Sequence, residues 1–289
     1  MSLNNLIGHK IYLNNLEQLY KENKLPNKIL LSGHKGIGKA LLVKNFLYKI
    51  FDDINSHVLI NNNSHPNILN IKKKDDKKII EIDQIRDIIK FTNQSTFNNK
   101  SKFIIIDDVE YLNKSSSNAI LKSLEEPNFN VIFFLVFNSN LKILDTIKSR
   151  CIEIKINLNQ NDTKLIVNKY FDDEIYENIN NSLSNFYSTP NFLILMVKYL
   201  KENDLSLFDT NINVLIKNII ENKHYNKNSF IKDNLNYIIE LFFYNHINIT
   251  KKISYKVKEY YYNKLLNIRK FNLDYETFFL EFEDNLLNG

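Results

Sequence analysis

Residues 28–40 read KILLSGHKGIGKA, and this stretch decides the fold. Residues 28–32 form a short apolar run that predicts a buried strand, and residues 40–51 carry apolar side chains at helical spacing. Between them, Gly33, Gly38 and Lys39 match the G-x-x-x-x-G-K part of a phosphate-binding loop, and Gly36 adds a third glycine. Three of the chain's five glycines fall within the six residues from Gly33 to Gly38. We therefore interpret the stretch as a phosphate-binding loop rather than as a plain glycine turn before a helix.

The chemistry of this loop predicts nucleotide binding through the backbone. The glycines let backbone N–H groups turn toward a phosphate, the helix N-terminus attracts negative charge, and Lys39 can reach the β- and γ-phosphates. Ala40 stands where such loops carry the Ser or Thr hydroxyl that holds Mg²⁺, and Leu41 offers no replacement. We expect ATP or ADP to bind this chain weakly or not at all, and metal-assisted hydrolysis to be impaired.

A second apolar run, FIIIDD at residues 103–108, ends in two carboxylates. Asp107 is the candidate carboxylate on the metal side of the loop. Asp108 stands where many ATP-hydrolysing P-loop proteins carry a glutamate that activates water, and aspartate is one methylene shorter. The alternative interpretation is that the two acids only end a strand.

The composition is that of an ordinary globular protein. The chain has 289 residues, of which 44% are hydrophobic and 25% are charged, and its longest strongly apolar run, residues 131–137, is far shorter than a membrane span of roughly 20 residues. We see no secretory signal at the N-terminus, and the single cysteine, Cys151, excludes an internal disulfide and a multi-thiolate zinc site. The net charge of +5 permits nucleic-acid contact without indicating it. We expect a cytoplasmic protein without membrane contact.

The order of the predicted elements indicates an α/β fold, a parallel sheet with helices on both faces. Further strands are predicted at residues 67–71, 102–107, 131–137 and 151–156, and further helices at 13–21, 82–91, 115–126 with a serine cap, and 141–148. Strand-like runs become rare after residue 157. We therefore predict three domains, at residues 1–157, 158–208 and 209–289, the last two helical. The aromatic runs at residues 260–262 and 278–279 are interpreted as core or subunit contacts.

Five motifs together resemble a known family, the bacterial clamp-loader subunits of the AAA+ class, and within it the delta-prime subunits of DNA polymerase III. They are GHKGIGKA at residues 33–40, SHPNI at 64–68, IDQIR at 82–86, NAILKSLEEP at 118–127 and Ser-Arg-Cys at 149–151. The resemblance is dense from about residue 25 to 156 and beyond that rests on domain layout and length. It implies an AAA+ P-loop domain, a helical lid domain at 158–208, and a collar domain at 209–289 that joins a hetero-oligomeric ring.

The resemblance also implies roles for two polar residues. Arg150 matches an arginine finger that reaches the ATP bound by the adjacent subunit, where a planar guanidinium stabilises charge on the transferring phosphoryl group. Only three of the chain's 38 Lys and Arg residues are arginines. The alternative is a surface arginine before a strand. Asn138 matches the polar sensor position beside the γ-phosphate.

Three departures from the family favour a subunit that does not hydrolyse ATP itself. Residues 51–64 lack the cysteines of a zinc module, so no zinc is expected, and the lid turn at 188–192 (STPNF) lacks an arginine. Ala40 and Asp108 weaken the metal and water chemistry. The implied partners are gamma/tau-like ATPase subunits and a delta-like subunit, with the sliding clamp and primed DNA reached through the complex. The alternatives are a hydrolysing gamma/tau-like subunit of the same loader, or a stand-alone P-loop module that binds DNA.

Overall fold

The computed structural model describes residues 6–74, 77–94, 100–125, 130–184, 188–250, 253–271 and 273–288, with the side chain of residue 269 excepted. The chain divides into two compact units, Met1–Asp162 and Thr163–Gly289. The three predicted domains place their first boundary five residues before this division. The further boundary between residues 208 and 209 stays a prediction.

The first unit is built on a five-stranded parallel sheet with the strand order β2-β3-β4-β1-β5. The strands are β1 (Lys28–Gly33), β2 (Ile68–Ile71), β3 (Lys102–Ile106), β4 (Val131–Asn138) and β5 (Ile152–Lys155). Every neighbouring pair runs parallel. The three central strands are almost wholly buried, which is why they read as continuous apolar runs rather than alternating ones. The predicted parallel sheet is confirmed.

Helices cover both faces of this sheet, as predicted. They are α1 (Lys10–Lys21), α2 (Lys39–Ile50), α3 (Ile54–Asn61), α4 (Ile82–Asn93), α5 (Lys114–Glu125) and α6 (Asp145–Lys148). Successive strand residues point to opposite faces, so β4 contributes Phe134 to one core, with α1 to α3, and Phe133 to the other, with α4 to α6. The candidate site lies at the ends of the strands, and packing on both faces of the sheet fixes the positions of those ends.

Two local predictions in this unit were wrong. Helix α5 is capped by Asn113, whose side-chain oxygen accepts the backbone N–H of Ser116 at 2.8 Å, and not by a serine. Helix α6 begins at Asp145 rather than near residue 141, because the chain turns at residues 139–140 and does not become helical over residues 141–144. Helix α3 was not predicted. Its apolar residues do not follow one face, since Ile60 is buried while Ile54 is 82% exposed.

The second unit is helical. Its helices are α7 (Gln160–Phe171, which begins in the first unit), α8 (Ile175–Asn178), α9 (Pro190–Glu202), α10 (Ile212–Glu221), α11 (His224–Lys227), α12 (Ser229–Tyr244), α13 (Tyr255–Phe271) and α14 (Glu276–Phe282). One hydrophobic cluster extends from Val167 to Phe282. It includes Tyr261, Phe278 and Phe279, which confirms the core interpretation for these three side chains. Tyr260 is 50% exposed and is not part of the cluster. No described helix is long and apolar enough to cross a bilayer.

Candidate nucleotide site and arginine finger

The phosphate-binding loop has the backbone that its glycines predict. Gly33 is the last residue of β1, and Gly38 is the residue immediately before α2. Gly36 and Gly38 have φ angles of 87° and 95°, in the left-handed region that L-residues with a side chain rarely adopt. The loop therefore turns directly from the strand into the first turn of the helix, the arrangement that presents backbone N–H groups to an anion.

Lys39 is folded onto its own loop. Its Nζ donates hydrogen bonds to the carbonyl oxygens of Gly33 at 2.8 Å and His34 at 2.7 Å, and the residue is only 5% exposed. Burial lowers the pKa of this ammonium to about 8, although the nearby carboxylates of Glu110, Asp107 and Asp108 oppose the shift. The lysine that would meet a phosphate instead satisfies two carbonyl groups of the loop.

The predicted carboxylates lie on the same side of the sheet as the phosphate-binding loop, at the carboxyl ends of the strands. Asp107 follows β3, and its side-chain oxygen accepts the backbone N–H of Asp108 at 3.1 Å. Burial, and then the charge of Asp108, raise the pKa of the Asp107 carboxyl. Asp108 itself has a left-handed backbone with φ of 58°. Both acids interact electrostatically with Lys39, so the structure brings these predicted residues together.

Asn138 completes this side of the sheet. It is the last residue of β4 and pairs in register with Gly33, while the next N–H, that of Ser139, donates to the Gly33 carbonyl at 3.1 Å. The Asn138 side-chain oxygen accepts the N–H of Asn140 at 3.2 Å. The predicted sensor residue therefore lies beside the loop, with its oxygen held in a local turn.

Glu110 is a residue of this site that sequence reasoning missed. One of its carboxylate oxygens accepts the backbone N–H of Asn138 at 3.1 Å, and the other is buried without a hydrogen-bond partner in the described part of the chain. Burial raises the pKa of this carboxyl. The sequence signal was a third acid in the turn that begins with Asp107 and Asp108. Glu110 links the turn after β3 to the end of β4.

His9 is a second residue that was missed. Its Nε2 lies 2.6 Å from the carbonyl oxygen of Ile37, inside the loop, and the ring is 2% exposed. A Cβ added at Gly38 would lie 3.6 Å from this ring. His9 therefore packs against the loop just before α2, where no motif in the sequence indicates a contact.

The residues present fit a nucleotide held by backbone groups, and they do not fit the usual hydroxyl–Mg²⁺ arrangement. Ala40 lies exposed on the first turn of α2, so no side-chain oxygen occupies this position. Ala40 and Asp107 line a cavity of about 280 Å³ together with Lys44 and Asn70. Within the described ranges, no group of three or more His, Cys, Asp or Glu side chains could hold a metal. The expectation of no zinc stays a prediction.

Arg150 lies at the amino ends of the strands, whereas the phosphate-binding loop lies at their carboxyl ends. It precedes β5, which runs parallel to β1 with Ile152 opposite Ile29, whereas Gly33 ends β1. Its guanidinium donates to Glu125 Oε1 at 2.6 Å and to the Thr146 carbonyl at 2.9 Å. The structure therefore separates Arg150 from the loop residues of its own chain.

Cys151 follows Arg150 in the Ser-Arg-Cys motif. It is half-buried, and burial raises the pKa of its thiol to about 11. A thiol with this pKa stays protonated at neutral pH and is a poor nucleophile. The predicted strand at residues 151–156 begins one residue later, at Ile152, and Cys151 lies outside it.

Comparison with known proteins identifies the family. The sequence model described as "DNA polymerase III, delta subunit" matches residues 8–160. The delta-prime subunit of Pseudomonas aeruginosa is 29% identical over 134 residues, which are 43% of this chain and 41% of that protein. The delta-prime subunit of Buchnera aphidicola from Acyrthosiphon pisum is 31% identical over 50% of this chain and 47% of its own length. The gamma subunit of Buchnera aphidicola from Schizaphis graminum is 29% identical over 54% and 45%.

The parallel sheet, the glycine loop and the acidic turn together form an α/β P-loop fold of the AAA+ type, as predicted. The matched region covers more than half of the chain, and the chain belongs to the DNA polymerase III delta-subunit family, in which it is delta-prime-like. It spans about half the length of the curated relatives it matches.

Proposed function

We propose that this chain is a non-hydrolysing, delta-prime-like subunit of a bacterial clamp loader. It presents Arg150 to ATP held by an adjacent gamma/tau-like subunit. It also assembles with a delta-like subunit, and the complex places a sliding clamp on primed DNA in the cytoplasm. Residues 158–208 act as a lid domain and residues 209–289 as the collar domain that joins the ring.

The position of Arg150 is the observation that carries this proposal. Ile152 lies opposite Ile29, and Gly33 is four residues further along β1. Four residues of a strand span about 13 Å, so the backbone beside Arg150 lies well away from the phosphate-binding loop. Lys28, the first residue of β1, donates to the carbonyl of Leu124, next to Glu125, which places the Arg150 contact at the amino ends of the strands. An arginine placed there suits an ATP bound by another subunit.

The residue types at the loop and at the acidic turn support the absence of hydrolysis in this chain. Ala40 offers no oxygen to a metal ion, and Asp108 is one methylene shorter than the glutamate that activates water in many P-loop ATPases. ATP or ADP that binds Gly33–Lys39 would be held by backbone N–H groups and by Lys39 once it leaves the two loop carbonyls. We assign Asp107, Asp108 and Asn138 to this same weak nucleotide site.

The test is steady-state ATP turnover by a reconstituted complex of this chain with its gamma/tau-like and delta-like partners. We expect Arg150→Ala to lower turnover by at least about ten-fold, because fingers of this kind contribute about 10³- to 10⁵-fold. Arg86→Ala is the matched control, since Arg86 is an exposed arginine paired with Asp83 on α4. Equal turnover for the two variants would refute the finger, and turnover by the chain alone would refute the non-hydrolysing role.

A further inference from the structure

Two acceptors on different elements hold the guanidinium of Arg150. The NH2 group donates to Glu125 Oε1 at 2.6 Å, and the NH1 group donates to the carbonyl oxygen of Thr146 at 2.9 Å. Glu125 is the last residue of α5, and Thr146 lies in α6. Contacts within its own chain therefore hold the arginine at both terminal nitrogens.

The contact with Glu125 differs from the chain's other described arginine pair. Arg86 pairs with Asp83 three residues away on one helix, with side chains 63% and 81% exposed. Arg150 and Glu125 are 25 residues apart, and their side chains are 33% and 51% exposed. An ion pair at such exposure contributes little to stability, so its main consequence is the orientation of the arginine.

The two contacts leave the guanidinium able to bind a phosphate. A guanidinium has five N–H donors, and the contacts with Glu125 and Thr146 use two of them. The other donors are sufficient for a phosphoryl oxygen. Arg150 can therefore engage an anion without first leaving Glu125, which favours a positioning role over a competing, inhibitory one.

We propose that Glu125 is a positioning residue for Arg150, which holds the guanidinium in the orientation that it needs in the neighbouring ATP site. This inference rests on the proposed function. Without Glu125, only the Thr146 carbonyl holds the guanidinium, so more of the long arginine side chain must be ordered during each catalytic event. Ordering one flexible side chain corresponds to about a two- to ten-fold change in rate.

The experiment is a double-mutant cycle on ATP turnover by the reconstituted complex. Glu125→Ala is expected to lower kcat by about two- to ten-fold with little change in KM, because the finger acts on the transition state. Glu125→Gln keeps an oxygen acceptor of the same length and is expected to stay within about two-fold of the native rate. In an Arg150→Ala background, Glu125→Ala should change nothing further.

Asp83→Ala is the matched control, because it removes the carboxylate of the other arginine pair. Thermal unfolding and gel filtration of each complex show whether a variant folds and assembles. Unchanged or faster turnover with Glu125→Ala, or an equal loss in the Arg150→Ala background, overturns the positioning role. If Arg150→Ala itself has no effect, the proposed function fails and this inference fails with it. If Arg150→Ala lowers turnover and Glu125→Ala does not, only the positioning role fails.

Discussion

Raising the pH above 8 should remove the charge of Lys39 at pH values where ordinary lysines stay charged. Burial lowers its pKa from 10.5 to about 8. At pH 9, about one folded molecule in ten would still carry the proton on Lys39, whereas nearly all ordinary lysines would stay charged. The cause is the loss of water around the ammonium, which two loop carbonyls replace only in part.

The sign of the effect on stability follows from this lowered pKa. Between about pH 8 and 10.5 the unfolded chain binds more protons at this position than the folded chain, so the free energy of unfolding rises with pH. A shift of this size corresponds to about 3 kcal/mol at most. The contribution is complete above the unfolded pKa and is lost as the pH falls through 8.

Nuclear magnetic resonance of isotopically labelled lysine side chains measures this pKa directly, with Lys39→Met used to assign the signal. Denaturant unfolding of both proteins between pH 7.5 and 10.5 measures the linked stability. We expect the native chain to gain stability relative to Lys39→Met across this range. A midpoint for Lys39 near 10, or no relative gain, would refute the burial of a charged amine in the loop.

Three further predictions concern stability. Gly33→Ala places a Cβ 2.4 Å from the carbonyl oxygen of Ile156, which is backbone and cannot easily move, so we expect a loss of about 2–4 kcal/mol by urea unfolding. Gly38→Ala meets only ordinary contacts at 3.6 Å and should cost about 1–2 kcal/mol for its left-handed backbone, so an equal cost at both positions would contradict the geometry. Lys102→Met leaves three carbonyl oxygens at the end of α4 without their buried donor. We therefore expect the free energy of unfolding to fall by about 1–3 kcal/mol. An unchanged urea midpoint would show that water replaces the lysine.

The sheet and the loop could be predicted because their signals are local. An apolar run before the glycines, and another before Asp107, fix where strands end. Parallel strands then bring those ends to one edge of the sheet. Residues 28–40 therefore specified strand, loop and helix without knowledge of the rest of the chain.

The contacts of the site could not be predicted, because they depend on distances between segments that are far apart in sequence. The hydrogen bond from Asn138 to Glu110 joins residues 28 positions apart, and the contact between His9 and Ile37 spans the same separation. Lys39 contacts the carbonyl groups through one particular rotamer, and the motif does not predict which rotamer this lysine adopts. The pairing of Arg150 with Glu125 likewise appears only once α5 and α6 are placed.

The most direct test of the central claim compares Lys39→Ala with Arg150→Ala in the reconstituted complex. If this chain donates a finger and does not hydrolyse ATP, Lys39→Ala should leave ATP turnover within about two-fold of native, while Arg150→Ala lowers it by at least about ten-fold. Both variants should assemble as the native chain does. The opposite pattern, with turnover lost in Lys39→Ala and kept in Arg150→Ala, would show that the chain is itself a hydrolysing subunit and would contradict the account.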